Sequence, residues 1–285
     1  MKLRLYHHPD GARVAYREAG AGPALCLFHS AGLSHREWEP IVEHLADRFR
    51  VVLPDLPLHG DSEDRPRHPY SPAWMADVIA GFCRDTLGPH PLVGGHDAGA
   101  ELLLRAVLDG ALTPRRMVLM SSRLHAAPAR PGALRTWRAA SRMAAVPGLD
   151  RALSHAARAV LRPSLGARLS VRANPAARDL VRHSLADLPG NGNRARSWAK
   201  LARRWPLDAQ PDLAARYGEV SMPVLLLWAR EDQLHDLAIA EEALERLPDA
   251  QLRVLPGTGF LMAYDDPVGL ARELTAFCGR DEPGS

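Results

Sequence analysis

The run Pro91-Leu92-Val93-Gly94-Gly95-His96-Asp97-Ala98-Gly99 constrains this chain more than any other stretch. Its apolar start reads as a buried strand. Gly95 and Gly99, two residues either side of Asp97, permit a sharp strand-to-helix turn that holds a strained backbone. Such a turn lifts the central side chain above the edge of a sheet. A helix beginning at Ala98 would point its free N–H groups and dipole at the Asp97 carboxylate and favour its negative charge. The plainer alternative for an aspartate here is an N-cap for that helix.

Strand, turn and helix repeat along the chain. Met1 to Tyr6 alternates like a strand and lacks the apolar core of a signal peptide. Residues 12–18, 24–28, 50–54, 91–94, 116–120, 224–228 and 251–255 read as seven more strands. Helical patterns over 34–49, 72–87 and 98–109, and after the last two strands, lie between or behind them. Apolar strands alternating with helices predict an α/β fold with a mostly parallel eight-stranded sheet covered on both faces. At 285 residues, one such domain with an insertion is more economical than two. The core is expected over 1–122 and 217–285. Residues 123–216 carry no strand pattern, are rich in Ala, Leu and Arg, and are broken at Pro131, Pro147, Pro163, Pro175, Pro189 and Pro206. They read as a helical cap inserted in the core.

That segment holds 17 Arg and one Lys against five Asp, a net charge of +13, so in a chain of net +3 the remainder carries −10. Arginine stems cover apolar helix surface, which is the plainer reading. The sharper reading is that the cap attracts an acidic small molecule, a coenzyme A thioester or an acidic carrier protein. Nucleic acid is not expected, because the basic residues interleave with Ala and Leu and no reader module is visible. No apolar run approaches the roughly 20 residues of a membrane span, so a cytoplasmic protein is expected. Cys26, Cys83 and Cys278 are too few and too widely spaced for a disulfide framework, and read as core. No metal-ligand spacing, dinucleotide fingerprint or phosphate loop occurs, so neither metal nor cofactor is expected.

Four landmarks, in order, resemble the α/β-hydrolase fold superfamily. They are His29-Ser30-Ala31-Gly32 after the third strand, Asp55-Leu56-Pro57-Leu58-His59-Gly60-Asp61-Ser62, the elbow Gly95-His96-Asp97-Ala98-Gly99, and Leu227-Trp228-Ala229-Arg230-Glu231-Asp232. The resemblance implies that the His29–Ser30 turn supplies a backbone N–H to an oxyanion hole and that Asp232 orients a catalytic histidine. It also implies that Asp97 occupies the nucleophile position, as in the dehalogenase and epoxide hydrolase branches. Three departures accompany it. Leu58 stands where the family has glycine. Phe260, in Pro256-Gly257-Thr258-Gly259-Phe260, stands where the histidine belongs and cannot accept a proton. The dehalogenase Trp or Arg next to the nucleophile is replaced by Ala98 and Ala100, and the epoxide hydrolase cap tyrosines are missing.

A substitute base must come from elsewhere, and His125 and His235 are the candidates. His96 is expected to pack inward and His29 to shape the oxyanion turn. The ligand is expected between the cap and the sheet edge, among Ser30, Asp97, Ala98, Phe260 and cap aromatics such as Trp137, Trp198 and Trp205. Three functions stay open. One is a hydrolase with a relocated base acting on a small, largely apolar substrate that is acidic or carrier-bound. Another is a lyase, cyclase, isomerase or decarboxylase using Asp97 as acid or base. The third is a ligand-binding protein without turnover.

Overall fold

The computed structural model describes residues 1–127, 139, 142–143, 146, 149, 169–172, 174–186, 192–206 and 209–279. Eight strands form one sheet: β1 (Lys2–His7), β2 (Arg13–Ala19), β3 (Ala24–Phe28), β4 (Arg50–Pro54), β5 (Leu92–His96), β6 (Arg116–Met120), β7 (Val224–Ala229) and β8 (Ala250–Leu255). Their order is β1-β2-β4-β3-β5-β6-β7-β8. β1–β2 and β2–β4 pair antiparallel, and every later pair is parallel. Strands β5, β6 and β7 are buried along their whole length. This is why they read as continuous apolar runs while the half-exposed β1 alternates.

The core helices are α1 (Glu39–Leu45), α2 (Pro72–Leu87) and α3 (Ala98–Leu108). The helical pattern expected over 34–49 divides in two. A short 3-10 turn, His35–Trp38, starts at the side-chain cap Ser34, and Pro40 opens α1 one residue after its start. Between β6 and β7 lie α4 (Pro175–Ala186), α5 (Gly192–Arg204) and the short α6 (Pro211–Ala215). Prolines begin α4 and α6, as the sequence punctuation suggests. Beyond β7 come α7 (Leu237–Arg246), α8 (Met262–Asp265) and α9 (Pro267–Cys278).

Two apolar clusters cover the faces of the sheet. One is built on α2, α3 and Trp228, the other on α1, α9 and Phe260. All three cysteines are buried. Among the described residues no helix is long and apolar enough to cross a membrane.

Candidate functional site

The site is built at the C-terminal end of β5, in the middle of the sheet. Asp97 has φ 48 and ψ −115, a conformation that L-residues avoid. The glycines make it possible. A Cβ on Gly95 would stand 2.5 Å from the Gly99 carbonyl carbon, and one on Gly99 would stand 2.5 Å from the Phe28 carbonyl oxygen. The strand, the elbow and α3 are therefore in backbone contact. The Asp97 side chain makes no cap hydrogen bond to α3, which removes the N-cap reading. Ala98 follows it as the first residue of the helix and is buried.

Asp97 Oδ2 accepts a 3.0 Å hydrogen bond from the backbone N–H of Ala31. Its other oxygen, Oδ1, lies 3.3 Å from His235 Nε2. His235 Nδ1 lies 2.8 Å from Asp232 Oδ2, so the imidazole bridges two carboxylates. Asp232 also accepts from the Leu234 N–H at 2.8 Å, which ties its carboxylate into the loop that carries His235. The side chains of Asp232 and His235 are 0% and 4% exposed, against 17% for Asp97. Of the three, the carboxylate at the elbow is the most exposed. Burial by itself would lower the His235 pKa, but the two carboxylates hold its proton and raise it to about 9. Burial would raise that of Asp97, yet the hydrogen bond and charge of His235, then His96 and the Ala31 N–H, hold it far below the ordinary carboxylate range.

Phe260 is buried and lies nearly parallel to His235, with centroids 5.8 Å apart and planes at 25°. Its ring also meets His96 at 4.5 Å. It forms an apolar wall behind the imidazole. His96 packs inward as expected and bonds through Nδ1 to Glu37 Oε1. The second oxygen of Glu37 accepts both the N–H and the Oγ–H of Ser30, each at 2.8 Å. The Ser30 hydroxyl thus points to Glu37, and it is the next residue, Ala31, that touches Asp97. Glu37 grips Ser30 and the residue before Asp97 at once.

His29 is fully buried and held neutral by burial. Its Nδ1–H donates to the Ser30 carbonyl at 2.8 Å and its Nε2 accepts from the Leu56 N–H at 2.9 Å, so it shapes the turn. Asp55 organises the loop beside it. Its Oδ1 accepts from the His35 N–H at 2.7 Å and the Asp61 N–H reaches its Oδ2 at 3.0 Å. Leu58, in the glycine position of the resemblance, has φ 78 and is buried nonetheless. The loop keeps the glycine conformation against the strain of a Cβ.

The structure brings Asp97, Asp232, His235, Phe260 and the His29–Ala31 turn together. It places His125 elsewhere, with Nδ1 3.0 Å from the Tyr217 hydroxyl and Nε2 3.1 Å from Glu242 Oε2. Trp137 lies outside the described residues. Trp198, on α5, stands edge-on to His59 at 4.7 Å, and Trp205 packs on the core cluster. Sequence reading missed Glu37, which had no motif to mark it, and Glu101. The latter lies one helical turn beyond Asp97 and bonds Arg123 at 3.1 Å. Burial and the Asp97 charge push its pKa up to about 7. Its four-residue spacing from Asp97 was the available signal. Among the described residues no cluster of His, Cys, Asp and Glu is arranged to hold a metal ion.

An elbow carboxylate at a backbone N–H, with a histidine oriented by a second carboxylate, is equipped for nucleophilic attack followed by base-assisted hydrolysis. Comparison with known proteins agrees with the fold. Residues 23–267 match the profile of the α/β hydrolase fold. An uncharacterized protein of Mycobacterium tuberculosis is 26% identical over 99% of this chain and 82% of its own length. The pimeloyl-[acyl-carrier protein] methyl ester esterase of Nitrosomonas europaea is 26% identical over 87% of this chain and 92% of its own. Among solved structures, 2-hydroxy-6-oxo-6-phenylhexa-2,4-dienoate hydrolase from a Rhodococcus superposes with a TM-score of 0.79 over 98% of this chain and 99% of that one. Its identity is 20%, so the likeness speaks to fold alone.

Proposed function

We propose, for a chain that belongs to the α/β-hydrolase fold family, a hydrolase that works through a covalent ester on Asp97 with His235 as its base. The observation that carries this reading is the bridge of His235 between Asp97 Oδ1 and Asp232 Oδ2, at 3.3 and 2.8 Å. It supplies the proton acceptor that Phe260 removes from the familiar position.

In the first step Asp97 Oδ1 attacks an electrophilic carbon of the substrate R–X. A C–O bond forms, the C–X bond breaks, and X leaves with its electron pair. Esterification cancels the charge on Asp97, one of the two carboxylates that hold the His235 proton. That proton then passes to X or to solvent and leaves a neutral imidazole. In the second step His235 Nε2 takes a proton from water while its oxygen attacks the Asp97 Cγ, and the developing oxyanion at Oδ2 is met by the Ala31 N–H. Collapse releases R–OH and restores the carboxylate with one oxygen from water. The net change is R–X plus water to R–OH plus HX.

The substrate best suited is a small, largely apolar electrophile that bears an acidic group. The basic 123–216 segment supports this, as does the acyl-carrier-bound ester named for the Nitrosomonas relative. Single turnover in 18O-water over a panel of alkyl halides and epoxides tests the route. The expected result is one heavy oxygen in the peptide containing Asp97, with the His235→Gln variant arrested as a stable ester adduct. Turnover surviving in Asp97→Asn, or heavy oxygen found in the product and never in Asp97, would overturn it.

A further inference from the structure

Beside the oxyanion turn is a small cavity of about 80 Å³, enclosed by the Gly32–Arg36 segment, the Leu58–Asp61 loop, α4 and α5. Since one water needs roughly 10–15 Å³ of such space, the cavity can take a small polar group of several heavy atoms. The charges around it do not balance. Asp61 is neutralised by Arg17 at 2.6 Å. Arg194 is met by Asp64 at 3.4 Å and by the Gly60 carbonyl at 2.9 Å. His35 is held by Asp55 at 2.8 Å. Arg36 is different. Its backbone N–H reaches Ser34 and its carbonyl accepts from Tyr264, while the guanidinium of this half-buried residue has no hydrogen bond or ion pair among the described residues.

The remaining wall holds no further carboxylate: His183 and Ser184 of α4 complete it beside His59, Leu58 and Trp198. His59 donates through Nδ1 to the Pro57 carbonyl at 3.0 Å, and burial with the nearby His29 pushes its pKa down to about 3. It stays neutral, and its Nε2 lone pair would repel an anion, which directs one toward Arg36. Leu58 and Trp198 give apolar contact. Arg36, half-buried and lining a cavity of this size, carries the planar donor fork that a carboxylate fits. The cavity wall begins at Gly32, the residue after Ala31, whose N–H holds Asp97.

We propose that this cavity is a carboxylate subsite, with Arg36 as the residue that selects substrates carrying an acid group remote from the bond cleaved. The inference rests on the hydrolase reading for its place in the reaction, but its test does not need turnover. Succinate and its uncharged analogue succinamide would be titrated at low salt by calorimetry against wild type, Asp97→Asn, Arg36→Gln and Arg36→Lys. Succinate should bind wild type and Asp97→Asn alike, weaken by roughly tenfold or more in Arg36→Gln, and recover partly in Arg36→Lys. Succinamide should not bind. Equal succinate affinity in wild type and Arg36→Gln, equal binding of succinamide, or no succinate binding by folded wild type up to roughly 50 mM, a free energy below about 2 kcal/mol, would overturn the assignment. Because Asp97→Asn is catalytically silent under the ester route, its binding curve separates failure of the subsite from failure of that route.

Discussion

The loop after β7 and the loop after β8 meet at the same edge of the sheet, and they divide the work in an unusual way. The β8 loop keeps an ordered form. Thr258 Oγ1 donates to the Leu255 carbonyl, the Thr258 N–H reaches Glu231, and the Gly259 N–H reaches Asp265 at 2.8 Å. It nevertheless ends on Phe260, a ring without a proton acceptor. The β7 loop carries both the carboxylate and the imidazole, three residues apart. Where the partners come from two loops, their geometry depends on how those loops pack. Here it is set within one short segment, closed at its far end by Asp236, which caps α7 by accepting from the Ala238 N–H at 3.0 Å. Under the proposed ester route the site needs an imidazole at one point in space, and the residue at a family position can be exchanged if a neighbouring loop reaches that point.

The largest effect should come from the residue both loops converge on. Asp97→Asn keeps the size of the side chain but cannot form the ester, and turnover should fall on the order of 10⁴-fold in steady-state assays. A fall of only a few-fold would mean that the two loops serve something other than a carboxylate nucleophile.

His235→Gln comes next, with a loss on the order of 10³-fold in ester hydrolysis and accumulation of the adduct by intact mass. The double variant Phe260→His, His235→Phe exchanges the two rings and sharpens the comparison. Partial recovery over the single variant would show that position in space is what counts, and no recovery would show that the Asp232–His235 pairing within one loop is itself required. The pH dependence of stability carries the same information. The folded pKa of His235 is raised from 6.5 to about 9. Its contribution is therefore complete below 6.5 and fades as pH rises through 9. Asp97, lowered from 3.8, contributes above that value and loses its contribution as pH falls through its depressed folded pKa. The melting temperature of wild type minus that of His235→Gln should be greatest between about pH 5 and 6.5 and shrink by about pH 9 to 10; a difference that is flat across this range would contradict the ion pair.

Glu37 tests the floor beneath both loops. Glutamine there can accept from Ser30 or His96 but brings an N–H₂ that one of them must meet, so the oxyanion turn should loosen. We expect Glu37→Gln to lower kcat by about 10- to 100-fold with KM within about twofold. Glu37→Asp, which keeps the charge, should recover part of the loss. Equal falls in kcat and melting temperature across both variants, with KM rising in step, would reduce Glu37 to a packing residue.

The eight strands and the elbow could be read from sequence because each signal was local: apolar runs of five residues, glycines at a fixed offset, prolines at helix starts. Asp232 was legible for the same reason. His235 could be named as a candidate beside His125, but not chosen, because the choice depends on the path of a loop after β7 and on contacts with an aspartate 138 positions earlier. Glu37 and Arg36 were invisible for a related reason. Their roles arise from a 3-10 turn folding back on Ser30 and from a charge count around a cavity, and neither has a periodicity. Leu58 went the other way: the sequence marked it as a departure, and the structure answers with a positive φ that glycine would adopt without strain.

The smallest effect is expected where sequence reading placed its other histidine. His125 is buried, with Nδ1 bonded to the Tyr217 hydroxyl at 3.0 Å and Nε2 3.1 Å from Glu242 Oε2, so it stands between the segment after β6 and α7. The imidazole holds the Glu242 carboxyl below its usual pKa. Truncating that bridge in His125→Gln should cost about 1 kcal/mol of stability, the typical worth of such a hydrogen bond, and leave kcat within about twofold at temperatures where the variant is folded. Measured side by side with His235→Gln, this makes the two histidines a control for each other. If His125→Gln abolished turnover with its melting temperature intact, the base would lie at the end of β6, and His235 would be left as a buried counter-ion that merely fixes the charge of Asp97.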